Sequence, residues 1–252
     1  MTERSFTEYV EILEENYPRI KAEVEALGKG KARLLAATKT VPAEVINYAI
    51  DRLGLSLIGE NRVQELLEKY DALHKENLEI HFIGRLQTNK VKYIIDKVSL
   101  IHSVDSLKLA AEIDRQAKKH GLTMDVLVEI NVGGEASKGG ILPEELAGFL
   151  DALTAFSNVR PVGLMAIPPA GISSEESRNY FQQIYQIFVD ILQKKLHNIN
   201  RYVLSMGMSD SYREALMEGA DLVRIGSALF GRRHYPEKVG DAVSNTAESA
   251  EK

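Results

Sequence analysis

The sequence predicts a single (β/α)8 barrel, an α/β fold in which parallel strands alternate with helices around a closed sheet. Three observations predict it. Short β-rich apolar runs recur along the chain, and most are followed by a stretch of helical periodicity. No shift in composition interrupts this alternation to mark a domain boundary. The length, 252 residues, suits one such barrel. An open doubly wound sheet is built from the same units and is the alternative that the pattern leaves standing.

The elements follow in order. A helix over about residues 5–27 comes first. The first strand is "ARLLAATKT" (32–40), with "PAEVINYAIDRLG" as its helix; the second is "LSLIGEN" (55–61), followed by "RVQELLEKYDALHKEN". "EIHFIG" (79–84) leads into the amphipathic "NKVKYIIDK", and "LIHSVD" (100–105) into "SLKLAAEIDRQAKKHG". "MDVLVEIN" (124–131) precedes "LPEELAGFLDALTAFSN", and "RPVGLMAI" (160–167) precedes "SEESRNYFQQIYQIFVDILQKKLH". "RYVLSMG" (201–207) is followed by "SYREALMEGA", and "DLVRIG" (221–226) by "SALFG". "PPAGISSEES" (168–177) reads as an exposed loop. The barrel with its leading helix is assigned to residues 1–236, and 237–252 to a polar, frayed tail.

Composition narrows the function. Hydrophobic residues make up 44% and charged residues 27%, an ordinary globular balance. A net charge of −5 provides no basic footprint for nucleic acid. With no cysteine, disulfides, thiolate catalysis and Cys-ligated zinc or iron–sulfur sites are excluded. The start lacks an apolar signal core, and no run approaches the roughly eighteen apolar residues of a membrane span. A soluble, cytoplasmic protein is expected, monomeric because no second interface domain is visible.

In such barrels the chemistry sits at the carboxyl ends of the strands. Those ends carry Lys39, Glu60, Asn61, Gly84, Arg85, Ser103, Asp105, Asn131 and Met165, then Ser205 through Ser209, and finally Arg224, Gly226 and Ser227. Lys39 has two readings: a solvated lysine covering the rim, or an amine desolvated by the barrel mouth and suited to Schiff-base formation. "SMGMS" (205–209) and "RIGSALFG" (224–231) lie at the seventh and eighth exits, where barrels often hold a phosphate on backbone N–H groups and hydroxyls. Small residues that merely permit tight turns are the plainer reading of each. Arg224, inside the last strand, is either paired with Glu129 or Asp221 or aimed at a ligand. Asn61 reads as a helix cap with Gln64 in a capping-box pattern, and His81 as a satisfied interior histidine. No metal-ligand spacing, P-loop, G-x-G-x-x-G or G-x-S-x-G occurs.

The segments "ATKTVP", "IGENRVQE", "HFIGRLQTNK", "GLMAIPP", "SMGMSDSY" and "VRIGSALFG" resemble those of the pyridoxal 5′-phosphate homeostasis proteins (YggS/PROSC-like), in order from about residue 5 to 231. The resemblance implies a barrel like the amino-terminal domain of alanine racemase, the type III fold of pyridoxal-phosphate proteins. It implies pyridoxal 5′-phosphate as cofactor and Lys39 as the Schiff-base lysine. Ser205 and the Gly226–Ser227 turn would take the phosphate, Arg224 would face the pyridine nitrogen, and Asn61 would lie near the ring. Ser227 stands where threonine is common in the family, and Ala37–Thr38 where valine–serine is commoner.

The residues also bear on catalysis. A guanidinium does not readily give the ring nitrogen a proton, so the ring is a weak electron sink. Racemisation needs acid–base groups on both faces of the carbon, and Tyr212 is the nearest candidate. The resemblance therefore favours a cofactor binder without strong catalysis, acting in vitamin B6 and amino-acid homeostasis, with pyridoxal-phosphate enzymes as candidate clients. A fold-type III enzyme such as an amino-acid racemase is the alternative, and a Schiff-base aldolase acting on a sugar phosphate is a weaker third.

Overall fold

A computed structural model describes residues 4–134, 139–169, 171–193 and 202–232. The leading helix is α1 (Phe6–Leu27). Then come β1 (Arg33–Ala37), α2 (Ala43–Leu53), β2 (Leu57–Glu60), α3 (Val63–Tyr70), β3 (Glu79–Phe82), a 3-10 helix (Thr88–Tyr93) and β4 (Leu100–Val104). The second half runs α4 (Leu107–Lys119), β5 (Met124–Ile130), a 3-10 turn (Pro143–Glu145), α5 (Leu146–Leu153), β6 (Val159–Ala166), α6 (Ser174–Gln193), β7 (Val203–Ser205), α7 (Tyr212–Met217), β8 (Leu222–Ile225) and α8 (Ser227–Phe230). All eight predicted strands are present. The predicted tail lies outside the described residues, as do parts of the loop at 131–140 and of the segment before β7.

The strands pair in parallel, in sequence order, and β8 returns to β1 to close the barrel. The open doubly wound alternative is thereby excluded. Closure is by four Cα pairs, from Arg33 with Leu222 to Ala36 with Ile225. Strands in such a sheet are covered on both faces, which is why they read as near-continuous apolar runs. Alternation separates two cores. Ala36, Ile58, Phe82, Ile101, Val126, Val128, Val223 and Ile225 face outward into the main core shared with the helices. Leu35, Ala37, Leu57, Ile83 and Leu222 form one cluster inside the barrel, and Leu100, Leu127 and Met165 another. Between these interior clusters sit polar groups that no purely apolar barrel needs: His81, His102, Ser205 and Arg224, all buried.

The helix α1 packs against α8, α2 and α7 and covers the outside of the closure. A reciprocal capping box starts it: Ser5 Oγ accepts from the Glu8 N–H, while Glu8 accepts from the Ser5 N–H. Leu13, Tyr17, Ile20 and Val24, at i, i+4, i+7 and i+11, form its buried stripe. Among the described residues no helix is long and apolar enough to cross a membrane.

Two local expectations are corrected. The predicted amphipathic helix "NKVKYIIDK" is instead a 3-10 helix followed by turns, closed by Ile94 N–H to Val91 O and Lys97 N–H to Ile94 O. These i to i+3 bonds bring Val91 and Ile94 onto one buried face, and the run is too short to nucleate a stable α-helix by itself. The predicted Asn61 cap is also displaced. Arg62 is the residue before α3, and it makes no side-chain capping bond.

Candidate functional site

Parallel closure brings the first and last strand exits together. Lys39 follows β1 in the inward-facing register of Leu35 and Ala37, and β8 beside it carries Arg224, Gly226 and Ser227. A Cβ added at Gly226 would meet Ala37 O at 3.3 Å and Ala37 Cβ at 3.4 Å. The two exits therefore pass in near contact, which a side chain at 226 would crowd.

The backbone on both sides of Lys39 is held. The Thr38 N–H donates to Gly59 O at 3.0 Å, and Thr38 Oγ1 to Glu60 Oε1 at 2.6 Å. Lys69 Nζ reaches both Glu60 Oε1 (2.7 Å) and Thr38 O (2.8 Å). Burial pushes the Glu60 carboxyl upward, against the pull of Lys69. On the other side, Thr40 has φ +62, an outlier for a β-branched residue, and its N–H donates to Glu65 Oε2 at 2.9 Å. The Lys39 side chain itself is exposed. Of the two readings that the sequence leaves open for Lys39, the exposed side chain matches the solvated rim lysine in the protein alone.

Asn61 follows β2 in the inward register of Leu57 and Gly59, whose added Cβ would point at Leu35 and Ile83. Its seat is shaped by Gly84. A Cβ there would lie 2.1 Å from Asn61 O, so only glycine lets the β3 exit cross the Asn61 backbone, and Ser103 Oγ ties Gly84 O down at 2.6 Å. Asn61 Oδ1 is buried and has no hydrogen-bond partner among the described residues. Buried polar atoms are nearly always paired, so this acceptor is one whose hydrogen bond the described residues do not satisfy.

Arg224 lies under the mouth, 5% exposed. Nη1 donates to Ser205 O (2.9 Å) and Ser205 Oγ (2.7 Å), and Nη2 to Ala166 O (3.0 Å). Its other donors are uncommitted among the described residues. Burial lowers the guanidinium to about 10, with Glu129 opposing the shift, so it is cationic at neutral pH. Of the two carboxylates that the sequence offers as its partners, Glu129 thus acts through its charge. The other, Asp221, accepts the Leu204 N–H. Burial and the nearby Asp105 in turn push the Glu129 carboxyl up.

The hydroxyls separate by depth. Ser205 is wholly buried, with its Oγ 2.7 Å from Arg224 Nη1 and 3.2 Å from His102 Nδ1. Ser209, four residues on, accepts from the Gly226 and Ala228 N–H groups, each at 3.2 Å. Of these two serines, Ser209 is therefore the one whose hydroxyl reaches the β8–α8 turn. The spacing of "SMGMS" does not reveal this, although both serines lie within it. Tyr212 is buried on α7, and its hydroxyl donates to Glu23 on α1 at 2.6 Å. Burial, reinforced by Glu23, pushes it up to about 12, so it is neither poised nor placed as a base at the mouth. Sequence reasoning also missed His102, which the β3–β4 register sets beside His81 inside the barrel.

Known proteins share this architecture. The alanine racemase N-terminal domain family matches residues 10–234. A pyridoxal phosphate homeostasis protein of Aquifex aeolicus is 49% identical over 219 residues, covering 86% of this chain and 95% of that protein. The chain belongs to the pyridoxal phosphate homeostasis protein family. The family's Escherichia coli K12 member is 38% identical over 208 residues, 81% of this chain and 87% of its own length. Among solved structures, PipY of Synechococcus elongatus, determined without pyridoxal phosphate, superposes with TM-score 0.79 at 32% identity, covering 87% of this chain and all (100%) of PipY. PipY with pyridoxal phosphate bound gives TM-score 0.75, with 84% and 100% covered. An alanine racemase of Clostridium difficile matches at TM-score 0.65 and 19% identity, a likeness of fold over 57% of that chain.

Proposed function

We propose that this protein binds pyridoxal 5′-phosphate at the barrel mouth, holds it covalently through Lys39, and serves as a carrier or buffer of the cofactor in vitamin B6 and amino-acid homeostasis. The observation that carries this reading is the β8–β1 closure. There the strand exit that carries the exposed Lys39 runs beside the one that carries Arg224 and the Gly226–Ser227 turn, and the unpaired Asn61 Oδ1 follows the neighbouring strand β2. That donor set fits an aromatic aldehyde phosphate. The cofactor, when bound, would supply a reactive carbonyl and an electron-accepting ring.

The chain's residues divide the remaining work. Lys39 offers the amine, and the pinned backbone of Thr38 and Thr40 fixes where it emerges. The Gly226–Ser227 turn, with the Ser209 hydroxyl, suits the phosphate. Ser205, first expected at the phosphate, is better read as the support beneath Arg224. Arg224 would meet the ring nitrogen as a donor that keeps its own proton, which weakens the ring as an electron sink. Asn61 Oδ1 would accept from a donor on the ring or its substituents.

The same residues argue for carriage over catalysis. Lys39 stands in an open mouth, and the tyrosine best placed in the sequence is tied to α1. Purified protein mixed with pyridoxal phosphate and amino acids in deuterated water tests this. Exchange of the amino-acid α-proton no faster than with free cofactor is expected. Exchange well above that level and abolished by Lys39→Ala would establish a racemase-like enzyme instead.

A further inference from the structure

From Arg224 and Ser205 a line of polar groups continues through the barrel interior, and its further members have no part in the cofactor reading. Arg224 Nη1 lies 2.7 Å from Ser205 Oγ, and Ser205 Oγ lies 3.2 Å from His102 Nδ1. His102 Nε2 is 3.0 Å from His81 Nδ1. His81 Nε2 faces Glu79 Oε2 at 3.6 Å, and Arg33 clamps Glu79 with bonds of 2.7 and 3.0 Å. Ser205 and His102 are 0% exposed and His81 4%, so bulk water does not compete along the middle of the line.

The two ends fix its direction. A guanidinium only donates and a carboxylate only accepts. The nearby His81 ring and the Arg33 fork hold the Glu79 carboxyl down at about 2, so it is an anion at neutral pH. Burial lowers both imidazoles, His102 strongly, which leaves each neutral with a single N–H. With Glu79 accepting, His81 carries its proton on Nε2 and presents a bare Nδ1. His102 then donates from Nε2 and accepts at Nδ1. Ser205 gives its hydroxyl proton to His102 and turns a lone pair to Arg224. The reverse order would aim the His81 Nε2 lone pair at a carboxylate, a repulsive contact. At 3.6 Å this last contact is longer than a hydrogen bond, and it sets the tautomer electrostatically, because an N–H turned to the carboxylate is attractive and a lone pair repulsive. It lies on the wall of a cavity of ≈ 380 Å³ in the barrel floor, which Arg33, Glu79, His81, Ser99, Asp125 and Asp221 help to line.

We infer that Ser205, His102, His81 and Glu79 are positioning residues for Arg224: a one-way hydrogen-bonded chain that orients the guanidinium under the mouth and runs through the barrel to its floor. Each donor in the chain strengthens the next, so Ser205 is a better acceptor for Arg224 than an isolated hydroxyl. The guanidinium is held in one orientation, with its remaining donors turned to the mouth. The inference rests on the cofactor reading only for what Arg224 faces; the chain belongs to the protein alone.

The test begins without cofactor. Long-range ¹⁵N–¹H spectra of the labelled protein at neutral pH should show His81 and His102 neutral and both protonated on Nε2. A proton on Nδ1 of either ring, or a charged ring, would overturn the chain. With pyridoxal phosphate added, Ser205→Ala should shift the bound-cofactor absorption and weaken retention by roughly fivefold. Glu79→Gln, at the far end, should alter the imidazole spectrum and shift the absorption in the same sense, less strongly. Arg160→Gln, which removes a floor ion pair with Asp125 outside the chain, should change neither. Wild-type absorption and retention in both Ser205→Ala and Glu79→Gln would refute positioning. Nε2 protonation in a protein that takes up no pyridoxal phosphate would sink the cofactor reading and leave the chain standing. Cofactor on Lys39 with Nδ1-protonated rings would do the opposite.

Discussion

The two ends of the barrel treat their polar groups differently. At the floor, charged groups find partners within the protein: Arg33 forks onto Glu79, Arg160 meets Asp125, and Asp221 accepts a backbone N–H. At the mouth, Asn61 Oδ1 and Glu60 Oε2 are buried without partners among the described residues, Arg224 has donors to spare, and Thr40 is held at positive φ. Stability alone would remove such features, since each unpaired buried group costs about 1–3 kcal/mol. The mouth is organised around something the polypeptide does not contain. The floor is organised around itself.

Substitutions at the mouth should therefore cost binding, and substitutions that only support it should cost folding. The sharpest contrast is Lys39→Ala. Covalent attachment should vanish completely, as read by borohydride reduction and mass spectrometry, while the melting temperature stays within about 2 °C because the side chain is exposed. A large drop in melting temperature would make Lys39 structural and blur the distinction between the two ends. Gly84→Ala should be the most damaging to folding, by about 3 kcal/mol in urea titrations, because its Cβ has nowhere to go but into the Asn61 backbone. It should also loosen the cofactor by displacing Asn61. Thr38→Val removes one donor from the buried Glu60 and should cost about 1 kcal/mol, seen as a lower urea midpoint with unchanged slope.

The pH dependence of stability should differ in sign between the ends. The floor carboxylate Glu79 is depressed to about 2 from 4.5. Its contribution is complete above 4.5 and is lost as pH falls toward 2, so Glu79→Gln should flatten the acid side of the stability profile. Glu60, at the mouth, is raised by burial, so the folded state holds its proton longer than the unfolded chain does. Stability should fall as pH rises from the ordinary carboxylate value through the folded one, and Glu60→Gln should remove that decline. Urea midpoints across pH would show both. Matching slopes in the two variants would contradict the contrast.

The strands were legible because a parallel sheet buried on both faces writes itself as apolar runs, and the strand exits could be read from where those runs end. Lys39, Arg224 and Gly226 stand at the neighbouring β1 and β8 exits. What the sequence hid depends on contacts between distant segments. Asn61 looked like a cap because its local pattern fits one; Gly84, crossing its backbone from the next strand exit, is what gives it another place. Ser205 and Ser209 are alike in sequence, and only depth in the barrel distinguishes them. His102 and His81 are 21 residues apart in sequence and become neighbours only through the β3–β4 register. The 3-10 helix at Thr88–Tyr93 has the same apolar spacing as an α-helix over so short a run, so periodicity could not distinguish them.

Incubating the purified protein with pyridoxal phosphate, reducing with borohydride and mapping the peptides tests most directly whether the mouth holds the cofactor on Lys39. A pyridoxyl group on Lys39 in near-stoichiometric yield is the expected result. No adduct, or one spread over several surface lysines with Lys39 unmodified, would contradict it.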